Sequence, residues 1–250
     1  MSYFIYPSWP SCSHVSGLST TRMGGQSEGA YSSFNLGAHV GDMPEHVKEN
    51  RRLFYERANL PDSPFYLNQT HSVDVAIISN GQISTQNADA VYTCEPNRVC
   101  AVLTADCLPV LFCSKDGLEV AASHAGWRGL SSGILENTIK CFKNSPEDIM
   151  AWFGPAIGST AFEVGKDVYD AFVQYDPSAH CAFSLITESA EQEKYLANIY
   201  QLARLRLNAL GLYDIFGGEY CTVKQNEKFY SYRKEGQTGR MLSAIWIKSH

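Results

Sequence analysis

The sequence lacks the features of exported, membrane-spanning and nucleic-acid-binding proteins. Its first segment, Met1 to Trp9, contains no lysine, no arginine and no long apolar run, so we expect no signal peptide. No stretch of about 18 apolar residues occurs, which excludes a membrane-spanning helix. The 20 basic residues are outnumbered by 26 acidic ones, for a net charge of −6, and an acidic chain is a poor partner for a phosphate backbone. We therefore expect a cytoplasmic protein that binds neither membrane nor nucleic acid.

Two common sequence motifs, one for metal or redox sites and one for dinucleotide binding, are missing as well. The chain has eight cysteines but no Cys-x-x-Cys pair, which argues against a zinc ribbon or a thioredoxin-type site. Without export, thiols normally stay reduced. A chain of 250 residues needs neither disulfide nor structural metal to fold, so a bound metal would be expected to serve chemistry. No G-x-G-x-x-G follows a predicted strand, which disfavours a Rossmann domain.

The hydrophobic pattern predicts alternating strands and helices. The predicted strands are Val73–Ile78, Val99–Leu103, Val110–Cys113, Leu118–Ser123, Met150–Phe153 and Leu242–Ile247. The predicted helices are Met43–Ala58, Ser131–Phe142, Lys166–Tyr175 and Lys194–Leu210. Asp42 and Glu45 form a capping-box pattern at the first helix. The connections from Leu103 to Val110 and from Cys113 to Leu118 are too short for a parallel crossover, so antiparallel neighbours are expected in an α/β or α+β fold with a mixed sheet.

Three histidine or cysteine positions fall in polar, turn-like sequence beside predicted strands. His71 precedes one strand, Cys107 lies between two others, and His124 follows a fourth. Rigid sheets commonly hold reactive side chains at strand ends. If the three converge, they supply three zinc ligands and leave a fourth position for water or substrate. The same trio fits a metal-free site in which Cys107 is the nucleophile and either histidine its base, and each residue taken alone is more often structural.

Two glycine-rich segments accompany the trio. Ala125–Gly129 leads into a predicted helix, and Arg128 could bind a phosphate or carboxylate there. The alternative interpretation is a tight turn with Trp127 packed into the core. The second segment runs from Thr20 to Asp42. A loop of this length with little periodicity is usually functional or disordered, and its aromatic residues favour order.

Short motifs along nearly the whole chain resemble one known family. This is the YfiH-like family, also called laccase-domain or polyphenol oxidase proteins and peptidoglycan editing factors. The matching stretches are Thr20–Gly25, Asn35–Asp42, Asn68–His71, Thr104–Pro109, Ser123–Gly129, Phe153–Gly158, Phe229–Arg233 and Thr238–Arg240. Together and in this order they are far more specific than any one motif. One departure is Lys234, where a second arginine is expected after Arg233.

The resemblance implies a single catalytic domain over residues 1–250, an α/β sandwich of mixed sheets covered by helices. The architecture would be similar to the catalytic domain of cytotoxic necrotizing toxins. It implies that His71, Cys107 and His124 bind zinc and form the catalytic site. It also implies phosphorolysis of adenosine, inosine and S-methyl-5'-thioadenosine, with adenosine deamination as a second reaction. The candidate substrate-binding residues are Arg22, Asn35 and Arg128, and the partners are purine nucleosides and phosphate.

Three other functions fit part of the sequence. In an amidase acting on cell-wall precursors, Cys107 would be the nucleophile. A multicopper polyphenol oxidase needs many histidines, commonly in His-x-His pairs, and this chain has seven histidines and no such pair; copper could still occupy a His/His/Cys site adventitiously. A non-enzymatic module with a structural zinc would need a fourth ligand, which Asp89 or Asp106 could supply.

Overall fold

A computed structural model describes residues 2–10, 14–188 and 193–249. The strands in these ranges are β1 Phe4–Ile5, β2 Val15–Thr20, β3 Val75–Ser79, β4 Gln82–Ile83, β5 Ala90–Thr93, β6 Val99–Thr104, β7 Leu108–Ser114, β8 Val120–Ala125, β9 Ile149–Phe153, β10 Glu163–Gly165, β11 Phe183–Glu188, β12 Glu193–Ala197, β13 Ile215–Gly217 and β14 Met241–Ile247. The helices are α1 Pro44–Arg57, α2 Trp127–Ser132, α3 Ile134–Ile139, α4 Lys166–Val173, α5 Ile199–Ala209 and α6 Tyr232–Glu235. None of the helices in the described ranges is long and apolar enough to cross a membrane.

The described strands form three sheets. A seven-stranded sheet has the order β13-β9-β7-β8-β5-β3-β4 and mixes parallel with antiparallel pairs. An antiparallel four-stranded sheet has the order β1-β2-β14-β6, and a small antiparallel sheet has the order β10-β12-β11. The fold is therefore mixed α/β, as the sequence predicts.

Three apolar layers hold the sheets and helices together. Side chains such as Val102 and Trp152 fill the space between the two large sheets. The other face of the seven-stranded sheet packs against α3, α4 and α5 through residues such as Phe153 and Leu207. The other face of the four-stranded sheet packs against α1 through Phe54. This is a sandwich of two sheets with helices on both outer faces, which leaves the strand ends free to carry a site.

The predicted strands are all present, with ends that differ by at most two residues. One predicted pairing is wrong. β7 and β8 are antiparallel neighbours as expected, but β6 pairs with β14 in the other sheet. The short connection after β6 is a crossing between sheets, because Thr104 ends one sheet and Leu108 begins the next.

The predicted helices need three corrections. Asp42 is not the N-cap of α1; that position is Met43, without a side-chain cap, and Asp42 instead accepts hydrogen bonds from Ser27 and Asn35. The segment predicted as one helix from Ser131 is split between α2 and α3 at Gly133, whose φ of 105° no regular helix tolerates.

The last predicted helix begins too early. Residues from Lys194 to Ala197 belong to β12, and α5 starts only after Asn198, whose side chain accepts from the backbone N–H of Gln201. Asparagine is a strong N-cap residue, so the helix begins at Ile199, five residues after the predicted first residue, Lys194. The long loop from Thr20 to Asp42 is ordered, with Phe34 fully buried.

Candidate active site

The crossing between the two large sheets places Cys107. Residues 105–107 connect β6 to β7, and Asp106 adopts a φ of 86° that non-glycine residues rarely use. The Asp106 carboxylate accepts hydrogen bonds from the Thr222 hydroxyl at 2.5 Å and from the Arg233 backbone N–H at 2.6 Å. These bonds fix the turn, and the half-buried Cys107 side chain lines the cavity at this sheet edge.

Asp89, fully buried beside the cluster, orients both histidines. Its carboxylate accepts from three consecutive backbone N–H groups, those of Thr70 at 3.1 Å, His71 at 3.0 Å and Ser72 at 2.7 Å. It also pairs with Nδ1 of His124 at 2.7 Å. Burial raises the pKa of Asp89, but the hydrogen bond and charge of His124 and the Ser72 N–H outweigh it, and the pKa falls to about 2. His124, with Nδ1 committed to Asp89, is left to present Nε2.

The ligand atoms of His71, Cys107 and His124 converge. These atoms lie within 4.8 Å of one another, and Sγ of Cys107 is 3.6 Å from Nε2 of His71. Ligands bound to one tetrahedral zinc at about 2.0–2.3 Å are separated by about 3.3–3.8 Å. The donor set and the 3.6 Å separation of Cys107 and His71 fit one zinc ion with three protein ligands, and the widest separation in the cluster, at most 4.8 Å, is about 1 Å longer than that range. Neither Asp89 nor Asp106 belongs to this group, because both carboxylates are bonded elsewhere.

Gly126 makes room for the cluster. A Cβ atom at this position would lie 2.4 Å from Cδ2 of His71 and 3.2 Å from Sγ of Cys107. The backbone of Gly126 is extended, at φ −64° and ψ 155°, so any residue can adopt its conformation. Space, rather than conformation, requires glycine here.

The cluster stabilises a thiolate beside an imidazolium when no metal is present. Burial raises the pKa of Cys107, but the charges and hydrogen bonds of His124 and His71 outweigh burial and lower it to about 6. Burial lowers the pKa of His124, but Cys107 and Asp89 raise it to about 9. A deprotonated cysteine is the form that binds metal or acts as a nucleophile.

Alkylation of the metal-free protein tests this electrostatic arrangement. We expect the iodoacetamide reaction of Cys107 to rise with a midpoint near pH 6, because the thiolate, and not the thiol, reacts. The rate is followed by mass spectrometry of the Cys107 peptide, with glutathione as the reference thiol. Bound zinc is expected to suppress the reaction. A midpoint above about pH 8, near that of an ordinary thiol, would contradict the arrangement.

Asp89→Asn is expected to weaken metal binding about 10- to 100-fold, the range typical of residues that orient metal-ligating histidines. The amide turns an N–H₂ group toward backbone donors and loses the negative charge facing His124. Zinc affinity is measured by competition with a chromogenic chelator. The exposed Asp74, which lies nearby on the same edge, gives the matched control Asp74→Asn, expected to bind zinc as the wild type does. Equal zinc affinity in both variants would contradict the role of Asp89.

The cluster lies on the floor of a cavity of about 530 Å³, a size typical of small-molecule sites. One wall is apolar and is formed by Trp127, Ile157, Phe162 and Ile199. A second wall is polar and is formed by His39, Gln69, Thr104 and Arg240. The first wall belongs to the core under the helices, and the second to the loop and strand ends of the four-stranded sheet.

The predicted substrate contacts separate into two groups. Arg128 lines the cavity, exposed, with its guanidinium 4.3 Å above the Trp127 ring. Helix α2 has only six residues, so its macrodipole adds little to anion binding. Arg22 does not line the cavity; it bonds Glu235 at 2.9 Å. Asn35 is fully buried and bonds backbone groups, including the Arg240 N–H at 2.9 Å.

Three cavity or supporting residues lie outside the sequence-predicted set, and Asp89, named from the sequence only as a possible fourth zinc ligand, has a different role. His39 and Arg240 line the polar wall, Asp89 orients the histidines, and Gly126 accommodates them. His39, Arg240 and Gly126 all fall inside the motif stretches that carry the family resemblance. Their place in those stretches is the feature of the sequence that could have identified them. No local feature of the sequence marks Asp89 as their partner.

A cavity with a convergent His/Cys/His floor, oriented by a buried carboxylate, defines a candidate metal-binding enzyme site. Residues 16–248 match the family described as multi-copper polyphenol oxidoreductase laccase. The chain is 52% identical over 247 residues to the protein of Escherichia coli strain K12 named purine nucleoside phosphorylase YfiH, covering 99% of this chain and 100% of that protein. It is 53% identical over 246 residues to the Haemophilus influenzae protein named purine nucleoside phosphorylase, covering 98% and 99%.

Solved structures agree with these sequence relations. The crystal structure of the Neisseria meningitidis protein NMB0706 matches with a TM-score of 0.92 at 48% identity, covering 99% of this chain and 100% of that chain. YlmD from Geobacillus stearothermophilus matches with a TM-score of 0.88 at 28% identity over the full length of both chains. The chain therefore belongs to the YfiH-like, laccase-domain family.

Proposed function

We propose that this protein is a zinc-dependent purine nucleoside phosphorylase acting on adenosine, inosine and S-methyl-5'-thioadenosine, with adenosine deamination as a second reaction. The observation that carries the proposal is the His71–Cys107–His124 cluster on the floor of a cavity with one apolar and one polar wall. The names of the two relatives given above, which are more than half identical to this chain, support the same reaction.

In phosphorolysis, a phosphate oxygen forms a bond to C1' of the ribose while the C1'–N9 bond breaks. The products are the free purine, which takes up a proton, and ribose 1-phosphate. The apolar wall offers a purine the flat, dehydrated surface that Phe162 and Trp127 provide. Cationic residues around the cavity offer the phosphate a counter-charge. The walls therefore orient two reactants of opposite polarity across the cluster.

The protein's own residues would hold the metal in one defined geometry. His71 and His124 would bind through Nε2 and Cys107 through Sγ, while Asp89 keeps the proton on Nδ1 of His124. Zinc held by these residues would supply Lewis-acid chemistry to an oxygen of the reactants. Within the described residues the cluster offers a single metal position, whereas a multicopper oxidase uses several; copper in this site would support at most a side reaction.

The test is a product analysis on metal-quantified protein. Adenosine is incubated with and without phosphate, and adenine, inosine and ribose 1-phosphate are separated. We expect adenine and ribose 1-phosphate only when phosphate is present, and inosine in both conditions. Removing the metal with a chelator should stop both reactions, and added zinc should restore them. Fully active metal-free protein, or adenine release without phosphate, would refute the proposal.

One observation favours a second candidate, a thiol amidase. The low pKa of Cys107, about 6, with Nε2 of His71 3.6 Å from its sulfur, is also the arrangement of a Cys–His nucleophile. A thiol amidase would be active without metal and would be inactivated by iodoacetamide in proportion to Cys107 labelling. The phosphorylase would lose activity with its metal.

A further inference from the structure

The side chain of Arg240 is fixed at the polar wall of the cavity. Its Nη1 donates to the carbonyls of Thr238 and Gly239, both at 3.0 Å. Its backbone N–H donates to Oδ1 of Asn35, which also accepts from the N–H of Gly37 at 2.9 Å. Gly37 packs against the arginine stem, since a Cβ there would lie 2.7 Å from Cγ of Arg240. The guanidinium therefore has little freedom to move.

Arg240 brings a positive charge that no nearby carboxylate pairs with. Among residues 2–10, 14–188 and 193–249, no carboxylate oxygen forms an ion pair with it. Burial lowers its pKa, and the more distant Cys107 and Asp106 offset only part of that effect. An arginine keeps its charge in proteins, and a half-buried charge without a counter-ion is costly. An anion in the cavity would relieve that cost.

His39, which lines the cavity with Arg240, offers a hydrogen bond but no charge of its own. Burial lowers the pKa of His39, and the charges of Arg240 and Arg51 lower it further. His39 is therefore a neutral imidazole at pH 7 that can still donate one hydrogen bond. The side chains of Asp106 and Arg51 are engaged elsewhere, with Thr222 and with the carbonyl of Leu36.

The other arginines of the cavity are less suited to an anion. Arg233 and Arg128 are exposed. Arg233 donates Nη1 to the carbonyls of Ala161 and Glu163 and interacts with the charge of the Glu163 carboxylate, and Arg128 lies over Trp127. Arg240 is half-buried, and its Nε and Nη2 have no acceptor in the described part of the chain. These two groups form one edge of the guanidinium, which suits two oxygens of a phosphate.

We infer that Arg240, with His39 beside it, is the phosphate-binding subsite of the cavity. The inference rests on the proposed phosphorolysis and assigns its two reactants to different parts of the cavity lining, phosphate to Arg240 and purine to Phe162 and Trp127. Asn35 then acts as a positioning residue, since it holds the backbone of Arg240 in place. Deamination needs no phosphate and does not use Arg240.

The test compares Arg240→Gln and Arg240→Lys with wild type as full-length, zinc-loaded protein. Binding of inorganic phosphate is measured by equilibrium dialysis, and the KM values for phosphate and for adenosine by initial rates. We expect R240Q to weaken phosphate binding and raise the phosphate KM about 10- to 100-fold, the usual worth of a charge-assisted pair, with the adenosine KM within about 2-fold. The phosphate affinity and phosphate KM of R240K should lie between those of wild type and R240Q, because lysine keeps the positive charge but cannot donate two parallel hydrogen bonds.

Arg52→Gln is the matched control, because it removes one exposed arginine charge on α1 that does not line the cavity. It should bind phosphate as the wild type does. Thermal denaturation and zinc content establish that each variant is folded and loaded. Unchanged phosphate binding in R240Q, equal weakening of both substrates, or no phosphate binding by wild type would overturn the inference. Phosphate binding lost in R240Q without any nucleoside cleavage by wild type would refute the proposed function and leave the subsite standing.

Discussion

Cys107→Ala is expected to abolish phosphorolysis, with a fall in turnover of more than about 1,000-fold. The loss should exceed the about 10- to 100-fold effect of residues that only orient metal ligands. The substitution removes the one anionic member of the cluster and leaves His71 and His124 as two neutral ligands. Two imidazoles hold zinc far less tightly than the three-ligand set. Turnover and zinc content are measured on the same preparation.

Two further variants make this result informative. Cys94→Ala removes an exposed cysteine elsewhere and should keep both zinc and activity. Cys107→Asp keeps an anionic metal ligand of similar size without a thiol. Residual zinc-dependent turnover in Cys107→Asp would assign Cys107 to metal binding, whereas full zinc occupancy with no turnover would assign it to nucleophilic attack. Wild-type activity in Cys107→Ala would refute the site itself.

Gly126→Ala is expected to lower turnover more than about 100-fold while every proposed ligand is still present. The new methyl group would lie 2.4 Å from the His71 ring and 3.2 Å from the Cys107 sulfur. One of them must move, and a displacement of about 1 Å in a reacting constellation costs about 100-fold. Initial rates and zinc affinity are measured at several zinc concentrations, so that weak binding and misplacement are separated.

Gly165→Ala is the matched control for Gly126→Ala. Gly165 is also the N-cap glycine of a helix, with a negative φ of −86°. A Cβ there would approach only the Asp167 carboxylate, the mobile end of a side chain. Near-wild-type activity is expected for this variant. If Gly126→Ala is equally harmless, the cluster does not need the close packing seen here.

Much of the fold could be predicted from the sequence, because local pattern controls local structure. The apolar runs that became β6, β7, β8 and β14 are buried on both faces, so they stand out as continuous hydrophobic segments. Strand β2, with the sequence VSGLST, gives no such signal because half of it is small and polar. The prediction that a helix begins at Lys194 was wrong about the first residue, because the apolar spacing there fits both a strand and a helix turn.

The candidate site could be predicted only in part. His71, Cys107 and His124 were identifiable because each is a reactive side chain that borders a predicted strand. Arg22 and Asn35 were equally polar and equally close to glycines, yet their side chains bond Glu235 and the Arg240 backbone. Their sequence surroundings do not differ from those of His39, which does line the cavity.

By itself, the sequence determined which chemistry was available: two histidines and one cysteine beside predicted strands, an acidic composition, and a mixed α/β pattern. Only the tertiary structure decided that the three ligand atoms meet within 4.8 Å and that Asp89 orients them. It also decided that Arg240 lines the same cavity as the three ligands. The physical reason is that these contacts depend on which strands pair and on where the chain crosses between sheets. Pairing is set by burial over the whole molecule, and local sequence does not encode it.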